Sequence, residues 1–361
     1  MKKKIGIITF HNAINYGAVL QSYALERFLI NRGENAEIID YRCPAVDIQY
    51  SFKSPAKSSS VLNFFAHNIT CFFRSGKKNR FEKFVKDRLV LSEKVDRESL
   101  HSCKYDVVIT GSDQVFNPYC SKSDPSYFLD FATTAEKYSY AASCGSIEQF
   151  NASKLDTIGL LNSFKMVSLR ERTSVEYLKD KLNTEVLLSV DPVWLLKKEE
   201  WSKLLGFANR RPYILVYNLM DLKSLRRYVK KFSKEKKLPV ISINRTIMGD
   251  MTYLPFSKLR SNCSPSEFLE LIANSSYFFT DSFHGTSFAM IFEKKFGVFL
   301  NDSKNNTNSR IVDILNLSGL SDRIVKDDNY DADASIDHKV IKDRMRELIS
   351  ESEKYVNIII G

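Results

Sequence analysis

The sequence has no stretch approaching ~18 consecutive apolar residues, so it offers no apolar helix that would cross a membrane. Its six cysteines, at positions 43, 71, 103, 120, 144 and 263, form no C-x-x-C pair and have no matching histidine spacing. That scatter argues against a zinc site and against a disulfide framework, and it predicts reduced thiols in a cytoplasm. The start, MKKKIGIITFHNAINYG, is basic but carries only a short apolar run and no small-residue cleavage site, so it reads as a first strand rather than a secretory leader. No internal repeat is present. A G-x-G-x-x-G turn is also missing, which weakens any dinucleotide-binding reading of the first β-α-β unit.

What the sequence does have is size, aromatic content and positive charge. Its 361 residues exceed one typical core and suit two domains, at ~150 residues per domain. Hydrophobic residues make up 43% and charged residues 27%, and 25 Phe with 17 Tyr promise a well-filled interior, so the chain is globular rather than disordered. The formal charge of +10 favours anionic partners in general, without choosing among phosphorylated metabolites, nucleotides, lipid headgroups or nucleic acid.

Along the chain, apolar runs alternate with helical patterns. Ile5 to Phe10 reads as a strand, Gly17 to Asn31 as a helix with Leu20, Ala24, Leu25, Phe28 and Leu29 on one face, and Ala36 to Tyr41 as the next strand. Asn15, Tyr16 and Gly17 in the turn between them are candidate binding residues, with Asn15 equally readable as a helix N-cap. Val61 to Phe73 sets Leu62, Phe65, Ile69 and Phe72 on one helical face, followed by Arg74, Lys77, Lys78 and Arg80. Such a stretch is read either as a membrane-surface helix or as a core helix with a solvated basic flank. Tyr105 to Thr110 leads into GSDQVFNP, where Gly111, Ser112, Asp113, Gln114 and Asn117 can bind sugar hydroxyls or cap a helix. Tyr138 to Ser143, Met166 to Leu169 and Val186 to Val190 are three further strands, and the second of them delivers Arg170 at its C-terminal end. An arginine there can hold a carboxylate or phosphate bidentately.

A Lys-rich segment, 194 to 211, marks the crossing into a second lobe, which begins again with strands Tyr213 to Asn218 and Pro239 to Ile243. Ser264-Pro265-Ser266-Glu267 is a capping box with proline at the first helical position. The stretch SYFFTDSFHGTSFAMIFEKKFGVFLNDSK then reads as strand, turn, helix and strand. Its turn holds Asp281, Ser282 and His284, with Gly285 and Thr286 opening the helix, and Lys304 follows the next strand. In an open α/β sheet, ligands bind outside the carboxyl ends of the strands, where helix N-termini attract anions, so His284 and Lys304 are expected to face one anionic ligand. The division is expected at 1–195, 196–335 and a terminal helix, 336–361, that packs back on the first lobe.

Taken together, INYGAVLQSYAL, GSDQVFNP, VSLRE, VDPVWLL and TDSFHGTSFAM, with a lysine twenty residues on, resemble the bacterial polysaccharide pyruvyl transferase family over about residues 5 to 320. The resemblance implies a glycosyltransferase-B-like α/β fold of two Rossmann-like lobes with an interlobe cleft, the first lobe on the acceptor side and the second on the donor side. It implies transfer of pyruvate from phosphoenolpyruvate to sugar hydroxyls as a ketal, without metal or other cofactor and without a nucleic-acid partner. The sugar is expected on a lipid-linked oligosaccharide of a surface polysaccharide, which places the protein in the cytoplasm and at the inner face of the plasma membrane. By motif match, His284 is the general acid/base and Arg170 and Lys304 are donor-anion ligands, with Lys294 and Lys295 as competing lysines. Ser282, Gly285 and Thr286 are further substrate-binding candidates. Two other readings are a glycosyltransferase of the same architecture using a nucleotide sugar, and a sugar-binding protein without catalysis.

Overall fold

The computed structural model describes residues 2–43, 76–206, 211–220, 222–244, 254–301 and 308–361. Lys304, the amphipathic stretch 61–73 and Arg74 lie outside the described residues. The chain divides into two compact units, the first made of described residues up to 43, 85–196 and 345–361, the second of 76–84 and 197–344.

The first unit is built on seven parallel strands: β1 (Lys4–Ile8), β2 (Asn35–Tyr41), β3 (Leu91–Val95), β4 (Val107–Thr110), β5 (Glu136–Ser139), β6 (Met166–Leu169) and β7 (Glu185–Leu188), in the order β3-β2-β1-β4-β5-β6-β7. Parallel strands are covered on both faces, which is why the central ones are continuously apolar. Ile5, Ile7 and Ile8 of β1 and Val107, Val108 and Ile109 of β4 are at most 1% exposed. The edge strand β3, LSEKV, is half exposed and was not foreseen, because its two charges break any apolar pattern. The fifth strand starts earlier than its apolar core suggests, at Glu136, and Ala142 rejoins the sheet only through isolated bridges to Asp113 and Leu169.

The helix Tyr16–Asn31 crosses between β1 and β2, and Asn15 caps it by accepting from the backbone N–H groups of Gly17 and Ala18. The long terminal helix, His338–Ile360, sends Tyr355 into the first unit, where its hydroxyl donates to the Ser139 carbonyl at 2.7 Å and its ring stacks on Tyr140.

The second unit is a five-stranded parallel sheet, β8 (Ile214–Asn218), β9 (Val240–Asn244), β10 (Lys258–Leu259), β11 (Tyr277–Thr280) and β12 (Lys295–Val298), ordered β10-β9-β8-β11-β12. Its aromatic core joins Tyr228 and Phe232 of the helix Lys223–Lys236 to Phe279 and Phe299. The capping box forms: Ser264 Oγ accepts from the Glu267 N–H, and Glu267 returns a carboxylate oxygen to the Ser264 N–H at 2.8 Å.

The described part of the basic flank makes its contacts within the second unit. Lys77 is buried, and Arg80 donates to Glu267 at 2.6 Å, while Lys78 lies 3.7 Å from Glu82. Among the described residues, no helix is long and apolar enough to cross a membrane.

Candidate active site

In the second unit, β11 ends at Thr280 and the helix Phe283–Ile291 starts after Ser282, which is its N-cap and accepts from the Gly285 N–H. The helix is enclosed on all sides, with Phe288 against Trp201 at 5.0 Å, so its first turn is held firmly at the carboxyl edge of the sheet. A side chain at Gly285 would come within 2.7 Å of the Thr280 Oγ1, which explains glycine there: the helix start passes directly over the end of its own strand. Thr286 returns its hydroxyl to the Ser282 carbonyl at 2.9 Å. Ser282, His284, Gly285 and Thr286 are thus brought together in one turn, as the residue pattern requires. His284 is 8% exposed, with its ring edge-on to Phe283 at 5.1 Å.

The two competing lysines are removed from this rim. Lys295 pairs in register with Tyr277, the first residue of β11, and therefore lies at the opposite end of the sheet from His284. Its ammonium contacts Asp333 at 2.8 Å, and Lys294 donates to the Ala273 carbonyl at 2.8 Å. Burial lowers the Lys294 pKa, which is suited to a structural contact rather than a ligand-binding cation. Of the three lysines only Lys304 follows the carboxyl end of β12.

The first unit carries a second rim, and here the residues differ from expectation. Arg170 was expected to face a donor anion. Its side chain is 3% exposed and points inward, donating to Asp191 at 2.5 Å, with Asp113 and Glu171 carboxylates each at 3.7 Å. Burial works against its charge, but Asp191, Glu171 and Asp113 hold it above its ordinary value. Three carboxylates gather around that one guanidinium, and Arg170 ties together the turns after β4, β6 and β7.

Ser112 belongs to the same buried set. Its hydroxyl donates to the Ala141 carbonyl at 2.6 Å, its N–H donates to Gln21 and its carbonyl accepts from Thr9. Gly111, at φ +114°, would place a side chain 2.5 Å from the Tyr140 carbonyl, so only glycine fits that crossing. Asn117 caps the short helix Pro118–Ser121 and donates to Gln114 at 2.8 Å and Gln149 at 3.1 Å. Asn15 and Asn117 are therefore caps, Tyr16 and Ser112 are enclosed in the core, and Asp113 serves Arg170. These residues build the first rim from behind. Gln114 and Asn15 are the half-buried ones among them.

Several members of these networks were not foreseen. Asp191 entered the reading only within the VDPVWLL motif, although an aspartate just after β7 is well placed to meet an arginine just after β6. His11 is wholly buried, with Nε2 2.9 Å from Asp40 and Nδ1 3.2 Å from the Thr9 carbonyl. Burial would raise the Asp40 pKa, yet His11 and Arg42 hold it below its ordinary value. Among the described residues no group of three or more His, Cys, Asp or Glu is placed to hold a metal ion, and none of the five described cysteines is in a disulfide.

Comparison with known proteins agrees with this architecture. UDP-N-acetylglucosamine 2-epimerase from Rickettsia bellii is similar over all of this chain and 96% of its own, with a TM-score of 0.55 at 10% identity. UGT89C1 of Arabidopsis thaliana is similar over the full length of both chains, with a TM-score of 0.50 at 12% identity. At such identities the likeness establishes the fold alone: α/β, two Rossmann-like lobes of the glycosyltransferase-B type. No protein of curated function matches the sequence. The model of one family, polysaccharide pyruvyl transferase, matches residues 15–303, from the cap of the first helix through the His284 turn. A match of that extent, over a fold that sets the motif histidine at a strand-end helix start, means that this chain is a transferase belonging to the polysaccharide pyruvyl transferase family.

Proposed function

We propose that this protein transfers the pyruvyl group of phosphoenolpyruvate to two hydroxyls of a sugar, forming a cyclic ketal and releasing phosphate. The observation that carries the reading is His284, held at the N-terminus of an enclosed helix within a chain matched by the pyruvyl transferase model. Phosphoenolpyruvate brings a carboxylate and a phosphate, and a helix start offers backbone N–H groups and partial positive charge to such anions. His284 delivers a proton to the methylene carbon of the enol, which becomes a methyl group, and the adjacent carbon becomes electrophilic. One sugar hydroxyl adds there, phosphate leaves with its bridging oxygen, and the second hydroxyl closes the ring as both hydroxyl protons are released. Lys304, by motif match, neutralises donor charge. The acceptor in this reading is a lipid-linked oligosaccharide of a bacterial surface polysaccharide, met at the inner face of the membrane. Arg170 enters only by shaping the first rim.

The test is mass spectrometry of synthetic sugar acceptors incubated with phosphoenolpyruvate and the protein. A mass gain equal to pyruvate less one water is expected. His284→Ala should lower turnover by ~10²-fold or more, with circular dichroism confirming that the variant measured is still folded. Binding of a nucleotide sugar without any response to phosphoenolpyruvate would overturn the reading in favour of glycosyl transfer.

A further inference from the structure

The residue just before the His284 helix cap does unusual work. Asp281 accepts hydrogen bonds from two successive backbone N–H groups across the sheet, Leu219 at 2.7 Å and Met220 at 2.8 Å. These belong to the turn that leaves β8, the neighbour of β11. Thr280, the last residue of β11, also bonds across to β8, donating to the Tyr217 carbonyl at 2.6 Å while accepting from the Ser282 N–H at 3.0 Å. The turn after β8 is otherwise open: Met220 is 44% exposed, and Asn218 reaches its carbonyl at 3.1 Å. Both turns border the carboxyl edge of the second sheet, where the helix carrying His284 begins.

We propose that Asp281 is a positioning residue for the transfer reaction: its carboxylate locks the Leu219–Met220 turn to the His284 turn, so the rim has one shape before donor arrives. This rests on the functional reading above. An ionised carboxylate gives each N–H its own full acceptor oxygen, whereas an amide in its place would turn one of the two into a donor nitrogen facing an N–H. The ionised state is held against the preference of the fold. Burial is the largest influence and lifts the Asp281 pKa to about 6, against the opposing pull of the Leu219, Met220 and own-turn N–H groups. With a folded pKa above the unfolded one, stability is complete in acid and is lost as pH rises through about 6, so at neutral pH the carboxylate is kept at a cost to stability. A residue retained at such a cost is better explained by the geometry it enforces than by fold maintenance.

The test is Asp281→Asn, with Asp281→Ala as a second variant, followed by amide hydrogen exchange of the apo protein and by steady-state kinetics. For Asp281→Asn, exchange at Leu219 and Met220 should quicken by about 10-fold while Leu215 and Val216 in β8 stay protected. The melting temperature should move by no more than ~4 °C. The kcat for ketal formation should fall by about 30-fold or more with a smaller change in the donor KM, the split expected when arrangement rather than binding is lost. Unaltered exchange at Leu219 and Met220, or a kcat within threefold of the parent, overturns the proposal. If the parent protein itself makes no ketal, the functional reading falls, and the exchange result alone decides for or against the clamp.

Discussion

Glu26 faces inward from the first helix with no exposed surface, accepting from the Val90 N–H at 2.7 Å. Burial, only partly offset by that bond and by Arg27, lifts its pKa from 4.5 to about 8. The folded state therefore keeps a proton that the unfolded chain has already released, and stability falls as pH rises from about 4.5 to about 8, by at most ~1.4 kcal/mol per unit. Glu26→Gln preserves the acceptor for Val90 and removes the ionisation. Urea unfolding of parent and variant should diverge as pH rises, with the variant the more stable at pH ~8, and parallel pH profiles would show that the carboxyl is not held in this way. His284 and Asp281 illustrate the same scale at the proposed site: the first sits in the opening turn of its helix, and the second ties the residues before that helix to Leu219 and Met220.

At the scale of elements, strand ends are where this protein concentrates its polar interior. The turns after β4, β6 and β7 contribute Asp113, Arg170 with Glu171, and Asp191, and the four side chains form one enclosed ionic cluster. Removing the Arg170 guanidinium from that cluster leaves three carboxylates facing one another. Arg170→Ala should therefore cost about 3–5 kcal/mol, the penalty of stranding buried charge, and should be seen first as a lowered melting temperature. A variant that melts like the parent yet fails to respond to phosphoenolpyruvate would return Arg170 to the role of donor ligand. Among the described residues, the corresponding turn of the second sheet is organised by the Ser282 cap and by Asp281, which accepts from the Leu219 and Met220 N–H groups.

At the scale of the whole chain, the two sheets are not built from two uninterrupted halves. Residues 345–361 belong to the first unit, although the preceding residues of the same helix belong to the second. Met345, Tyr355, Val356 and Ile359 are each at most 2% exposed. Segments near a chain end usually tolerate change, but here Tyr355→Ala should destabilise by about 3–5 kcal/mol, as expected for emptying a buried aromatic site. Equilibrium unfolding monitored by tyrosine and tryptophan fluorescence would measure it. A loss below ~1 kcal/mol would mean that the helix end is not integral to the first unit.

Periodicity and local chemistry were enough to establish the alternation of strand and helix, the capping box at Ser264, the strand-turn-helix around His284 and, through the order of its motifs, the family. These are legible because each depends on residues close together in the sequence: an apolar run of four to seven, a cap and its partner three residues on, a turn flanked by both. Burial and pairing were decided only by the tertiary structure. Arg170 looked like an anion ligand because a strand-end arginine can be one, and it became the centre of a carboxylate cluster because Asp191 arrives after the neighbouring strand β7 and Asp113 after β4, two strands away in the same sheet. The edge strand β3 forms from a charged pentapeptide because β2 offers it an unpaired edge, not because its own pattern demands it. Lys294 and Lys295 were indistinguishable from Lys304 by spacing alone, and the parallel register of β12 on β11 sends the first two to the far edge of the sheet. The clamp from Asp281 to Leu219 and Met220 joins residues about sixty positions apart. No local signal encodes such a bond, since it exists only once two parallel strands lie side by side and one buried carboxylate faces the other strand's turn.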